Sequence, residues 1–433
     1  AVVLVYLLAR RMYGRREAIL ASALVTLAVI HIQLSHFFAV DTILTLFAVA
    51  ALYFMLRVAD DGRPRDSVLA GAFIGLGLAT KISLAPIYMA LMAAHVLFVI
   101  SALRSTGGRA VAVDQVMGAA AGRFAAAMIA SLAVLFVAQP YMFLDWSQFF
   151  SDAVEQSEMV RRIRDYPYTR QYIDTTPYWY QVRQLATWGL GWPLGLLAWM
   201  GLLYAALRGM RPRHGVGYLA AGVIVPAAIL IYSLSLPAIA LATGISFIAL
   251  VGTLPFRSPD SRPAVVILAW VVPYLLTIGA FDVKFLRYML PITPFLVLFG
   301  SRMLVAAWDR FGRMLPPARI AIAAAAAVVL VGTGFYAVSY TAVYRNDHPG
   351  VQLSRWLNYN APPGSVVLME HWEEGLPDVG RFEFRRLPLY EADSVDKLRA
   401  LSKDLSEASY LVFYSNRLYG TIPRLPERYP VTS

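Results

Sequence analysis

Residues 18–57 read AILASALVTLAVIHIQLSHFFAVDTILTLFAVAALYFMLR. Two apolar runs, each close to the length that crosses about 30 Å of hydrocarbon as a helix, flank a short break carrying His31, His36 and Asp41. Similar runs recur along the chain. It has 433 residues, of which 58% are hydrophobic and 15% charged, and a mean hydropathy of +0.57. A soluble protein carries about a quarter of its residues as charges. The sequence therefore specifies a polytopic α-helical membrane protein.

The net charge of +11 invites a nucleic-acid reading, but its placement argues otherwise. Arginine-rich loops alternate with loops almost free of arginine, as expected when basic residues stay on the cytoplasmic side. No phosphate-binding glycine loop, dinucleotide fingerprint or HExxH stands anywhere in the chain, and there is no cysteine. With RRMYGRRE and RVADDGRPRDS inside, hydropathy predicts about eleven complete spans. They cover about 18–36, 42–57, 68–81, 83–103, 116–138, 188–207, 216–235, 237–254, 263–280, 289–307 and 318–340. Residues 1–340 form the transmembrane domain, with a long polar and aromatic outer loop at 140–185 that opens on an interfacial helix. From residue 341 a helix (PGVQLSRWLNYN), a strand (SVVLME), a helix (VDKLRALSKDL) and a strand (ASYLVFY) predict a small extracytoplasmic α/β domain over 341–433. The opening AVVLVYLLA is too short to span and the end RYPVTS carries no stop signal, so the chain reads as cut from a longer protein at both ends, the second domain incomplete.

The polar residues at the predicted outer face are the candidates for function. No Lys or Arg precedes Asp41 within 31–40. Asp41 reads either as a cap on the helix DTILTL or as an outer-face acid that holds sugar hydroxyls, a metal or an acceptor. His31, His36 and Asp41 are spaced by five, so they do not share one helical face and do not by themselves make a metal site. Lys81, in an outer hairpin, reads as a snorkelling lysine or a phosphate ligand. Lys284 and Arg287, in KFLRYMLPITP, lie on the outer side just before a helix whose first turn contains Pro291, against the positive-inside bias. A point charge beside a guanidinium fork suits a phosphate or pyrophosphate, and ordinary anionic lipid is the plainer alternative. Arg161, Arg162, Arg164 and Arg170 stand among tyrosines and tryptophans that suit either sugar binding or an interfacial belt. Glu370, His371, Glu373 and Glu374 follow the strand SVVLME.

Four segments carry a family resemblance: LLARRMYGRREAILASALVTLAVIHIQLSHFFAVDTILTLF, GAFIGLGLATKISLAP, KFLRYMLPITPFLVLFG and HPGVQLSRWLNYNAPPGSVVLMEHWEEGLPD. Together they resemble the GT-C membrane glycosyltransferases of family 39 and their phospholipid-carrier-dependent relatives, which include protein O-mannosyltransferases and lipid A aminoarabinose transferases. The resemblance implies an enzyme of the cell membrane that moves a sugar from a polyprenyl-phosphate donor to a protein, lipid or glycan acceptor on the extracytoplasmic side. It also implies that the principal base sits in a first outer loop preceding residue 1. Asp41 then matches the acid of the second outer loop, where relatives position an acceptor or, in some branches, a divalent metal. Lys81, Lys284 and Arg287 match the surroundings of the lipid phosphate, with His36, Arg170, Tyr288 and His371 as further substrate contacts. A carboxylate to deprotonate the acceptor and cations for the leaving phosphate make the scheme chemically coherent.

Two other classes remain open. A transporter or flippase needs ionisable residues near the midplane of several spans, whereas Arg123 and Arg302 lie toward cytoplasmic ends. A non-catalytic scaffold displaying the α/β domain is the third reading.

Overall fold

The computed structural model describes residues 1–105, 110–312, 316–370, 372, 375–413 and 419–433. It is 76% helical. The chain divides into two compact units, residues 1–156 with 176–340, and residues 157–175 with 341–433.

The first unit begins with seven helices: α1 (Val2–Met12), α2 (Arg15–Leu27), α3 (Val29–His36), α4 (Val40–Asp61), α5 (Pro64–Thr80), α6 (Ile87–Ser105) and α7 (Ala110–Ala138). Their ends follow from local chemistry. Gly62, at φ +60°, closes α4 in the left-handed conformation and returns its N–H to the Val58 carbonyl. Pro64 then opens α5, where its missing N–H costs nothing. The expected span over 18–36 is bent by 52° between α2 and α3. Neither proline nor glycine marks that break; Ala28 takes an extended conformation there.

Among the described residues, seven helices are long and apolar enough to cross a membrane, eight if α2 and α3 count as one bent span. These helices are consistent with the multi-pass membrane character read from the sequence. Other expected spans fall on shorter apolar helices: α5 with 17 residues, Trp192–Leu207 with 16 and Thr293–Ala307 with 15. Helix Pro263–Gly279 is the most enclosed, with Trp270 and Tyr274 fully buried among its neighbours. Where no water drives association, small residues let helix backbones touch. A Cβ on Gly71 of α5 would stand 2.0 Å from the Ala127 carbonyl oxygen of α7, and one on Gly75 would stand 2.4 Å from that of Ser131.

In the second unit, three parallel strands run in the order β2–β1–β3: β1 (Val366–Glu370), β2 (Glu383–Leu387) and β3 (Tyr410–Val412). β1 is central and buried. Helices Pro349–Asn360 and Val395–Glu407 complete the α/β pattern read from the sequence. β2 was not expected, and residues 157–175 of the long loop belong to this unit rather than to the first.

Candidate active site

Asp41 sits in the first turn of α4, 1% exposed, in the first unit. Its side chain does not cap the helix: the cap position is Ala39, and no side-chain hydrogen bond is made there. The carboxylate is instead balanced by a residue forty positions on. Lys81 ends α5, and its Nζ donates to Asp41 Oδ1 at 2.8 Å. Among the described residues Asp41 Oδ2 takes no hydrogen bond.

Lys81 also meets an aromatic face. Its Nζ stands 4.4 Å from the Tyr288 ring centroid, at the range of a cation–π contact. Tyr288 is anchored from behind, because the fully buried Tyr274 donates its hydroxyl to the Tyr288 carbonyl at 2.9 Å. The neighbouring segment differs from expectation. The helix that follows starts at Thr293, with Pro294 in its first turn, and Pro291 lies before it. Lys284 is buried and donates to the Asp282 carbonyl at 3.1 Å rather than facing outward. Arg287 is exposed, with its guanidinium 4.9 Å from the Phe285 ring and 5.9 Å from the Tyr288 ring. The structure therefore joins Asp41, Lys81, Tyr288 and Arg287 into one constellation from three segments distant in sequence.

Ion pairs of opposite placement mark the far end of α4. Arg11 bonds Asp60 at 2.9 Å and Asp61 at 3.1 Å. With a rise of 1.5 Å per residue, that cluster lies about 30 Å along the helix from Asp41.

The remaining candidates lie elsewhere. His36 is exposed at the end of α3, and its Nδ1 meets the Ile32 carbonyl of its own helix at 2.7 Å. Arg170 is buried in the second unit, where it acts as a structural clamp. It bonds Asp165 at 2.9 Å, the Tyr429 hydroxyl at 2.5 Å and the Tyr390 carbonyl. Arg428 bonds the same carboxylate. Burial by itself would raise the Asp165 carboxyl, but the hydrogen bonds and charges of Arg170 and Arg428 outweigh it and hold the group below its ordinary value. Glu370 ends β1 buried, its Oε2 accepting from the Trp372 N–H at 2.7 Å. His371, Glu373 and Glu374 lie outside the described residues. Among the described residues, no three His, Asp or Glu side chains gather as a metal-holding group.

The role of Tyr274 was not read from the sequence, where it is one tyrosine in an apolar helix. A hydroxyl that needs a partner once buried was the available signal.

Comparison with known proteins adds one match. The model of the dolichyl-phosphate-mannose-protein mannosyltransferase family matches residues 1–113. No curated protein matches the chain. The matched segment contains Asp41 and Lys81 and stops before Lys284, Arg287 and Tyr288. The resemblance to GT-C membrane glycosyltransferases is supported through that segment, about a quarter of the chain.

Proposed function

From this family likeness, we propose that the protein transfers a sugar from a polyprenyl-phosphate donor to an acceptor on the extracytoplasmic face of the cell membrane, with Asp41, Lys81, Tyr288 and Arg287 in its active site. The observation that carries the reading is the buried Asp41–Lys81 pair, which lies inside the family-matched segment and under the Tyr288 ring. A buried ion pair is a poor device for stability, so its presence needs another reason. Orienting a substrate hydroxyl while keeping a cation near a leaving phosphate is such a reason.

In this reading Asp41 stays ionised through Lys81 and presents Oδ2 to the acceptor or to a sugar hydroxyl. Lys81 is a point charge beside the path of the departing phosphate, where positive charge lowers the barrier most in a water-poor site. Arg287, exposed on the same constellation, supplies the planar fork that grips phosphate oxygens bidentately. Tyr288 shields Lys81 and offers a ring against which a sugar face or a prenyl chain packs. The separation of these residues from the Arg11–Asp60–Asp61 cluster by a full span agrees with an outer site and a basic inner end. The α/β unit would lie on the outer side as well.

The test is turnover. The protein is reconstituted in liposomes with radiolabelled polyprenyl-phosphate sugars, mannose first. Release of polyprenyl phosphate that depends on the protein supports the reading. Folded protein that turns over none of the lipid-linked sugars overturns it and favours a scaffold or transporter.

A further inference from the structure

A second concentration of charge lies away from Asp41, where the C-terminal ends of α1 and of helix Trp192–Leu207 meet helix Thr293–Ala307. A cavity with room for about one water molecule is lined there by Tyr13, Tyr204, Arg208, Ser261, Phe299 and Arg302. Arg302 bonds Glu17 at 2.5 Å, and its Nε is buried without a hydrogen-bond partner. Arg257 lies alongside, buried, donating only to neutral groups: the Ala205, Ala206 and Arg208 carbonyls and the Thr253 hydroxyl, the last at 2.8 Å. The Arg208 guanidinium stacks 5.7 Å from the Tyr204 ring and, among the described residues, has neither a carboxylate nor a hydrogen-bond partner. Neither the Tyr13 nor the Tyr204 hydroxyl makes a hydrogen bond among those residues.

Arg302 with its orphaned Nε and Arg208 without a carboxylate thus line one cavity with two phenols that make no hydrogen bond among the described residues, while Arg257 is taken up by the carbonyls at the end of the neighbouring helix. A buried donor left without a partner costs about 1–3 kcal/mol, and unbalanced guanidinium charge adds to that. A trapped water satisfies one donor but not the charge. We propose that this cavity is an anion site that takes a phosphate group, with one phosphate oxygen in the cavity and the others at its mouth beside the half-exposed Arg208. Guanidinium forks and hydroxyl donors match tetrahedral oxyanions better than spherical ions. The phosphate comes either from a lipid headgroup or from free phosphate, and the two sources share this chemistry. The site is separate from the Asp41 constellation and does not depend on the activity proposed there.

The experiment compares wild type, Arg208→Gln, Arg208→Lys and Tyr204→Phe in two measurements. Calorimetric titration of the detergent-solubilised protein with inorganic phosphate, at constant chloride, reads the free anion. Native mass spectrometry from phosphatidylcholine nanodiscs with and without phosphatidylglycerol reads a retained anionic lipid. Among the described residues the Arg208 side chain makes no hydrogen bond, so its variants should keep the melting temperature of the wild type. Binding of either probe that falls about tenfold or more in Arg208→Gln and is held by Arg208→Lys supports the site. Phosphate binding alone identifies a free phosphate, and lipid retention alone identifies a headgroup. If Arg208→Gln does not fold, a severalfold loss in Tyr204→Phe, which removes only a lining hydroxyl, decides in favour and an unchanged affinity decides against. Wild-type protein that binds neither probe, or variants that all bind alike, overturns the proposal.

Discussion

Replacing Lys81 with methionine keeps the length and apolar stem of the side chain and removes only the charge that faces Asp41. The Asp41 side chain is 1% exposed and cannot turn to water. Its carboxylate is then buried without compensation, which costs about 3–5 kcal/mol. The reverse change, Asp41→Asn, leaves the Lys81 ammonium behind. That side chain is 26% exposed and keeps the Tyr288 ring 4.4 Å away, so the loss is about 1–2 kcal/mol, one charge-assisted hydrogen bond. The double variant buries no charge and should recover about 2 kcal/mol of the summed single losses. Unfolding of the detergent-solubilised protein by denaturant, followed through tryptophan fluorescence, measures all four proteins. Single variants equal within about 0.5 kcal/mol, or a double variant that merely adds them, would refute the asymmetry drawn from burial.

Other outcomes follow from particular contacts. Gly71→Ala must push α5 from α7, because its Cβ would lie 2.0 Å from the Ala127 carbonyl oxygen; the expected loss is about 1–3 kcal/mol. Gly118→Ala, on α7 with nothing within 4 Å, should be neutral or slightly stabilising in the same unfolding assay. Arg170→Ala leaves Asp165 to Arg428 alone and removes the guanidinium from the Tyr390 carbonyl and the Tyr429 hydroxyl, so limited proteolysis should cut the second unit faster, and Arg170→Lys, lacking the fork, should restore little. Asp393 carries a pH dependence. Burial would raise it, but hydrogen bonds from Lys397, the Thr432 hydroxyl and the Val431 and Thr432 N–H groups hold it far below its ordinary 3.8. A depressed carboxyl stabilises fully above its unfolded value and less as pH falls below it. Hydrogen exchange over residues 395–407 should therefore quicken as pH drops beneath about 4, beyond the intrinsic trend, and Asp393→Asn should abolish that change.

Much of this architecture was legible because apolar runs of membrane length and period-two strands are local signals. The break at Ala28 was not, since its sequence holds no proline or glycine. β2 escaped because EFRRL is polar and carries only a half-exposed face, so its strand character comes from pairing with β1. The assignment of 157–175 to the second unit rests on Arg170 and Asp165 reaching Tyr390, Arg428 and Tyr429, more than two hundred residues away. The site shows the same division. Asp41, Lys81, Arg287 and Tyr288 could be singled out as polar groups at predicted span ends, because their types were unusual there. That Lys81 neutralises Asp41, that Tyr274 holds Tyr288 and that Lys284 turns inward depended on which helices pack together, and spacing in one chain does not encode that.

The measurement that bears most directly on the proposed activity is steady-state turnover of polyprenyl-phosphate mannose by reconstituted wild type, Asp41→Asn and Arg287→Ala. The account predicts that Asp41→Asn lowers kcat by about a hundredfold or more, as loss of a positioned carboxylate does. Arg287→Ala should chiefly raise KM for the lipid-linked donor, because its fork grips phosphate before and after transfer. Turnover that both substitutions leave unchanged would contradict the placement of the active site at the Asp41–Lys81–Tyr288 constellation.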